Sequence, residues 1–224
     1  MKQPTNIFLA LFIIISAVHV TAIFLQKEKL RRVSKCLILP PLLAAYAVEA
    51  GNWLFFPIPA LILGWIGDVL LIQIEKKNHF ITGLASFLLG HFFYIISFIA
   101  VLGFSGFGGA GRINIPALAV FTAPTIVLGM IVFRLIKPTR EMRVPVIVYM
   151  IILIAMNLAG FQVFLFNPGI AGLLILSGCF NFIVSDTILA YYTFRKLKLS
   201  GAVLIMVYYI LAQAEIIIGL MMLR

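Results

Sequence analysis

The chain has 224 residues, of which 63% are hydrophobic and 11% charged, and its mean hydropathy is +1.17. A soluble domain is roughly half apolar and a quarter charged, so this composition excludes an ordinary soluble protein and indicates a polytopic membrane protein. The net charge of +10 would suit nucleic acid, but the basic residues fall in short connectors between apolar stretches, which indicates membrane topology instead. Cys36 and Cys179 lie in apolar runs and imply no disulfide framework.

Apolar stretches of about 20 residues are long enough to cross a bilayer as helices. The first, Ile7 to Leu25, lacks a small-residue cleavage pattern, so we interpret it as a retained span and not as a signal peptide. The sequence therefore predicts an all-α fold, with residues 1–224 forming a single domain of eight transmembrane helices. Their approximate bounds are 5–25, 35–55, 57–74, 80–102, 114–133, 144–166, 168–192 and 200–223.

The basic residues predict the orientation of this bundle. Of the 17 Lys and Arg residues, 14 fall on one side of the predicted membrane, and Lys2, Arg112 and Arg224 are left for the other. The positive-inside rule then places the basic connectors in the cytoplasm and both termini on the non-cytoplasmic side. Anionic membrane lipids account for the charge without nucleic acid, and the short connectors favour a bacterial inner membrane. The basic connectors are 26–34, counted with Lys35, and 75–79, 134–143 and 195–200.

Two carboxylates interrupt spans that are otherwise apolar. Asp68 lies in Gly67-Asp68-Val69-Leu70-Leu71, and Asp186 lies in Ser185-Asp186-Thr187-Ile188-Leu189. A charged group at such a depth costs several kcal/mol, so an intramembrane Asp indicates a functional site. Each Asp lies six residues before the end of a span that runs inwards, which places both roughly 9 Å above the cytoplasmic boundary. Equal depth does not show that the two are in contact.

Other polar side chains lie in the same cytoplasmic half of the predicted membrane region, or deeper toward its middle. His19 and Tyr149 come close to the level of the two aspartates, and Lys35 lies at the cytoplasmic mouth of the second span. We interpret His19 as a hydrogen-bonded packing residue. Pairs spaced three or four residues apart share one face of a helix, whereas Asn181 and Asp186, five apart, need not do so. The deeper residues are His91, Tyr94, Asn157, Asn181 and Gln213, and the same-face sets are Phe87 with His91 and Tyr94, and Tyr209 with Gln213.

Two carboxylates at one depth can divide acid and base chemistry. In an apolar setting a close pair resists double ionisation, so one carboxyl group can hold a proton and act as a general acid. The other can stabilise a cation-like transition state or prepare a water, as in glycosidic bond cleavage. The same pair could instead relay protons in a transporter, and the weak likeness of the two Asp motifs would suit a four-plus-four repeat. A third hypothesis is that the protein has no catalytic activity and binds lipid or acts as a scaffold.

Metal and nucleophile chemistry are less well supported by the spacing. No His-x-x-x-His or Glu-x-x-His pattern accompanies the aspartates, so no metal is expected. Ser185 precedes Asp186, but no Gly-x-Ser-x-Gly elbow surrounds it. A small Ser or Gly before each Asp favours close helix packing instead.

A series of short motifs in fixed order resembles the lysoplasmalogenase family, the YhhN-like membrane proteins, over roughly residues 30–220. No single motif is specific, but six in order and in matching spans are. The motifs are Ser34-Lys35-Cys36-Leu37 with Pro40 or Pro41; Gly67-Asp68-x-Leu70-Leu71; Phe80-x-x-Gly83-x-x-x-Phe87-x-x-x-His91-x-x-Tyr94; Pro145-Val146-x-x-Tyr149 with Met156; Ser185-Asp186-x-x-Leu189-Ala190; and Tyr209-x-x-Ala212-Gln213.

The resemblance implies an eight-helix membrane hydrolase that cleaves the vinyl-ether bond of lysoplasmalogen without a cofactor. A fatty aldehyde and glycerophosphoethanolamine or glycerophosphocholine would be the products. It implies that Asp68 and Asp186 are catalytic and that Lys35 holds the lipid phosphate. Asn181 and Glu215 depart from the pattern and leave the identity of the substrate open. The sequence does not indicate an oligomeric state. The remaining residues that it implies for substrate binding are His91, Tyr94, Tyr149, Ser185, Tyr209 and Gln213.

Overall fold

The structure, a computed structural model, describes residues 3–50, 55–74, 76–104, 113–195 and 199–223. In these ranges the secondary structure is helical and contains no strand, which confirms the all-α prediction. Parts of the connectors 51–57, 75–79, 103–114 and 195–200 lie outside the described residues. The helices are α1 Gln3–Phe24, α2 Glu28–Leu37, α3 Leu39–Ala50, α4 Pro57–Leu70, α5 Lys77–Phe104, α6 Ile115–Ile136, α7 Arg143–Phe166, α8 Ile170–Arg195 and α9 Leu199–Met222.

Six of these helices are long and apolar enough to cross a membrane, which identifies an integral, multi-pass membrane protein. They are α1 and α5 to α9. Helix α3 has 12 residues and α4 has 14, which correspond to lengths of about 18 and 21 Å against a hydrocarbon core of about 30 Å. A 3₁₀ turn, Leu71–Gln73, extends α4. The count of eight spans and the side of the termini therefore stay predictions.

The span predicted over residues 35–55 is divided into two helices. Helix α2 ends at Leu37 and α3 begins at Leu39, so the break falls directly before Pro40-Pro41. Proline disfavours helical geometry in the preceding residue and lacks an N–H, so it is best accommodated in the first turn of a new helix. Lys35 is consequently in the last turn of a short basic helix and not at the start of a long span. Proline alone does not have this effect, since α6 continues through Pro124.

Helix α2 begins with a charge cluster on its exposed side. The Glu28 carboxylate accepts hydrogen bonds at 2.8 Å from Arg31 and from Arg32. The bond from Arg31 is the main cause that lowers the pKa of Glu28 to about 2. Glu28 in the first turn and Lys35 in the last also complement the helix dipole.

The chain divides into two compact units, and the first runs to Ser97. In it, α1 packs on α2 and α3, and α4 packs on α3 and α2. The buried Thr5 hydroxyl of α1 donates to the Glu49 carboxylate of α3 at 2.8 Å. Helices α4 and α5 approach closely because Gly90 replaces a side chain: a Cβ there would lie 3.2 Å from the Ala60 carbonyl oxygen.

The second unit, Phe98–Leu223, is built around α8. Helix α9 packs along α8 at small residues, since a Cβ at Gly178 would lie 2.9 Å from the Ala212 carbonyl oxygen. On another side, Asn157 of α7 donates to the Cys179 carbonyl of α8 at 3.1 Å. Helix α6 contacts α7 and α8 and leaves much of its surface exposed.

Cysteine labelling can determine whether the segment from α2 to α3 crosses the membrane. We expect a cysteine at Phe55 to react with an impermeant maleimide on intact cells, and one at Lys29 to react only after permeabilisation. Both positions are exposed in the structure, and Cys36 and Cys179 would be replaced by Ala. Labelling of both positions under the same condition would put them on one side and rule out eight spans.

Candidate functional site

Asp68, in the last turn of α4, is buried against a cation in the first unit. Its side chain is 3% exposed, and its Oδ1 lies 3.7 Å from the Nζ of Lys35, whose side chain is 12% exposed. The indole N–H of Trp65, one turn earlier on α4, donates to the Cys36 carbonyl at 2.7 Å. These two contacts dock α2 on α4 and hold the ammonium beside the carboxylate.

His19 extends this cluster on to α1. Its Nδ1 lies 2.9 Å from the Ser34 hydroxyl, which itself donates to the Leu30 carbonyl at 2.6 Å. Because the single hydroxyl proton is used there, Ser34 accepts from Nδ1–H, and neutral His19 presents Nε2 as an acceptor. Among the described residues, neither this nitrogen nor the Ser16 hydroxyl, one turn away, has a hydrogen-bond partner. The interpretation of His19 as a hydrogen-bonded, buried residue is confirmed.

His91 and Tyr94 are buried on the face of α5 that packs on α4. Their exposed fractions are 2% and 1%. Phe87, on the same face, fills the space beside Gly67, where a Cβ would lie 2.6 Å from the ring. The Ser86 hydroxyl adds a hydrogen bond of 2.6 Å to the Leu63 carbonyl. His91 and Tyr94 thus belong to the helix that packs on α4 beside Gly67, the residue before Asp68.

Asp186 has a different kind of neighbour in the second unit. The phenol of Tyr149, on α7, donates to Asp186 Oδ2 at 2.7 Å. Tyr149 is buried, whereas Asp186 is half-buried. The sequence placed these two residues at similar depth without predicting their contact. The structure therefore pairs one candidate carboxylate with an ammonium and the other with a phenol.

The remaining predicted residues lie on α8 and α9, and Ser185 and Tyr209 make contacts between these two helices. The Ser185 hydroxyl donates to the Ile205 carbonyl at 3.0 Å, which suits a packing role better than nucleophilic attack. The Gln213 amide donates to the Tyr209 hydroxyl at 3.3 Å, which confirms that they share a face. Tyr209 also contacts Phe182 edge to face, with ring centroids 5.9 Å apart.

Asn181 and Glu215, the two departures from the family pattern, are partners. The Asn181 amide donates to the Glu215 carboxylate at 2.8 Å. Asp186 is held by Tyr149 of α7 instead, so Asn181 and Asp186, five residues apart, have partners on different helices. Within the described ranges, no group of three His, Cys, Asp or Glu side chains is placed to hold a metal ion.

Fold and buried charges together define the class: a multi-pass helical membrane protein with carboxylates inside its helical segments. The sequence pattern of the YhhN family matches residues 30–220. The chain belongs to this family, which includes lysoplasmalogenases. No curated protein and no solved structure matched the chain. Helix α1, with His19, precedes the matched range.

The Lys35–Asp68 pair can be tested by comparing single and double variants. Asp68→Asn should lower the free energy of unfolding by roughly 3–5 kcal/mol, because it leaves a buried ammonium without its counter-charge. The double variant Lys35→Met/Asp68→Asn should recover most of this loss. Thermal unfolding of the purified protein in detergent measures both. An equal loss in the single and double variants would show that an unpaired ammonium is not what destabilises Asp68→Asn.

Proposed function

We propose that this protein is a membrane hydrolase that cleaves the vinyl-ether bond of lysoplasmalogen. Its products are a fatty aldehyde and glycerophosphoethanolamine or glycerophosphocholine. Family membership supports this class of activity. The observation that carries the proposal is that a chain of this family holds two carboxylates within its helices, one beside an ammonium and the other beside a neutral phenol.

The two environments support different roles for the two aspartates. Asp68 faces the Lys35 ammonium at 3.7 Å, and an adjacent positive charge favours an ionised carboxylate. Asp186 accepts a hydrogen bond from the neutral Tyr149 phenol, which stabilises an ionised carboxylate less than an adjacent ammonium does, so of the two Asp186 is the better candidate to carry a proton. In enzymes that use two carboxyl groups, contrasting environments typically keep one protonated as the acid and the other ionised. We therefore assign Asp186 as the general acid and Asp68 as the stabilising carboxylate.

The reaction then consumes one water. Asp186 donates its proton to the alkenyl carbon that is not bonded to oxygen, and an oxocarbenium ion forms. The Asp68 carboxylate stabilises this cation, and a water adds to it while its proton returns to Asp186. The hemiacetal collapses to aldehyde and alcohol. That both carboxylates serve one bond is an inference from the family motifs and from the equal depth that the sequence predicts for them.

Lys35 has two possible tasks in this scheme, and its surroundings favour one of them. The sequence assigns it to the lipid phosphate. Its burial and its ion pair with Asp68 suit a group that balances the charge of the catalytic carboxylate. Its replacement would then lower kcat more than it raises KM, whereas loss of a phosphate contact does the opposite. For substrate contact we keep the predicted residues His91, Tyr94, Tyr149, Ser185, Tyr209 and Gln213.

The decisive assay is aldehyde release from lysoplasmalogen by the purified protein in detergent. Asp186→Asn should reduce kcat by about 10²–10⁴-fold, the usual contribution of a general acid. Asp68→Asn should be inactive even in the stabilised Lys35→Met background. Glu215→Gln, which keeps an oxygen acceptor for Asn181, is the matched control and should retain activity. A wild-type protein that releases no aldehyde in detergent, but moves a solute across the membrane of sealed vesicles, would instead be a transporter.

The phenol of Tyr149 should matter through its hydrogen bond to Asp186. Tyr149→Phe removes one donor to a carboxyl group, a bond worth about 1.5–3 kcal/mol, so kcat should fall by about tenfold or more. Tyr192→Phe, a tyrosine six residues after Asp186 on the same helix, is the control and should leave kcat unchanged. Equal rates for Tyr149→Phe and the wild type would remove Tyr149 from the mechanism.

A further inference from the structure

An apolar groove runs between α6, α7 and α8 in the second unit. Its two parts hold about 350 and 390 Å³ of space, including the space open to the surroundings. They meet at Val132 and Thr187, which line both. The groove is lined by apolar side chains together with Thr125, Thr187 and Tyr191.

This groove adjoins the Tyr149–Asp186 pair on two helices. Leu153 of α7 lines it and lies four residues after Tyr149. Ile183 and Thr187 of α8 line it and flank Asp186 in sequence. Side chains three or four residues apart share a helix face. Asp186 itself does not line the groove, but a molecule in the groove lies within one helical turn of the proposed general acid.

Gly129 keeps open the part of the groove that α6 lines together with α7. A Cβ at this position would lie 3.2 Å from the Ile154 Cδ1 and 3.4 Å from the Met150 Cε, so a larger side chain would project into the space. Thr125, Gly129 and Val132 all line the groove from one face of α6. A large residue at Gly129 is thus a direct means of filling it.

The groove has the length of a lipid chain in one leaflet. On α6 it extends from Thr125 to Ile136, which is about 16 Å at 1.5 Å per residue. Half of a bilayer's hydrocarbon core is about 15 Å. A single-chain lipid that lies along α6, with its hydrocarbon chain toward Thr125 and its glycerol toward Ile136, would cover this length.

A cation lies at one end of the groove. Arg195, the last residue of α8, donates from Nε to the carbonyl of Leu135, a groove residue, at 3.3 Å. Arg195 is exposed, and a guanidinium has five N–H donors, so further donors are available for a phosphate. Arg195 follows Asp186 by nine residues, or about 14 Å along the axis, a gap that a glycerophosphate and the long Arg side chain together bridge.

We propose that this groove binds a single-chain phospholipid, with its hydrocarbon chain beside Thr125 and Gly129 and its phosphate on Arg195. The inference rests on the proposed function in one respect: the bond placed beside Asp186 is then the vinyl ether. It assigns the phosphate to an exposed guanidinium, because Lys35 is buried in an ion pair.

Photo-crosslinking tests the chain-binding part without any need for turnover. The probe is a saturated alkyl-ether lysophosphatidylethanolamine with a diazirine in mid-chain, added to the purified full chain in detergent. Its label should map to peptides that contain Thr125–Val132, Met150–Ile154 or Ile183–Thr187. Unlabelled lysophospholipid should compete for labelling, whereas phosphatidylethanolamine with two chains should compete at least tenfold less well.

Two groove variants and one surface variant complete this test. Gly129→Leu and Thr125→Leu should each reduce labelling at least tenfold in protein that remains monodisperse. Ala123→Leu, on the exposed side of α6, should leave labelling unchanged. Labelling that is insensitive to both groove variants, maps elsewhere, or is displaced equally by two-chain lipid would identify ordinary lipid contact and overturn the proposal.

The phosphate contact is tested separately at Arg195. Arg195→Gln should weaken binding of the phospholipid probe about tenfold and leave binding of a matching monoalkylglycerol probe, which has no phosphate, unchanged. Arg140→Gln, another exposed arginine, is the control and should have no effect. An equal loss for both probes, or none for either, would reject Arg195 as the phosphate ligand.

The two proposals fail in different ways. Groove labelling by a protein that releases no aldehyde would keep the binding site and reject the hydrolase. Aldehyde release together with labelling outside the groove would keep the hydrolase and reject the binding site.

Discussion

An apolar medium cannot solvate a carboxylate, and the rest of this structure depends on that constraint. Four of the seven acidic residues lie within apolar helices, and each has a partner on another helix. The partner described for Asp68 is a cation, and the hydrogen-bond donors described for the other three are neutral. A neutral donor stabilises an ionised carboxylate less than an ammonium does, so these environments differ in the way that acid–base chemistry requires. The pairs are Asp68 with Lys35, Asp186 with Tyr149, Glu49 with Thr5, and Glu215 with Asn181.

Small residues bring these partners within reach. Lipid tails are as apolar as leucine, so helices in a membrane associate through close packing and hydrogen bonds more than through the hydrophobic effect. Gly67 precedes Asp68 and receives the Phe87 ring, and Gly160 of α7 receives the Cys179 sulfur of α8. The second contact lies in the same helix pair as the Tyr149–Asp186 bond. The small residues that allow close helix packing therefore also bring the polar side chains within hydrogen-bond distance.

Sequence reasoning predicts what depends on local periodicity. Apolar length predicts helices, and a spacing of four predicts that Tyr209 and Gln213 share a face, as they do. It does not predict partners such as Lys35 and Asp68, which are 33 residues apart and meet only because α2 docks on α4. The break before Pro40-Pro41 shows the same limit. Proline disturbs a helix, but whether the helix bends or ends there depends on its neighbours.

Membrane topology explains why the basic residues cluster in the connectors, but it does not explain the position of each lysine and arginine. Topology accounts for the positive charge of the connectors as a group, and it is silent on which cation meets which neighbour. Lys35 is buried against a carboxylate, and the pair presents little net charge to a phosphate. Arg195 reaches back to Leu135, 60 residues earlier in the chain, and stays exposed. Burial thus distinguishes the two cations, as the kind of partner distinguishes the two aspartates.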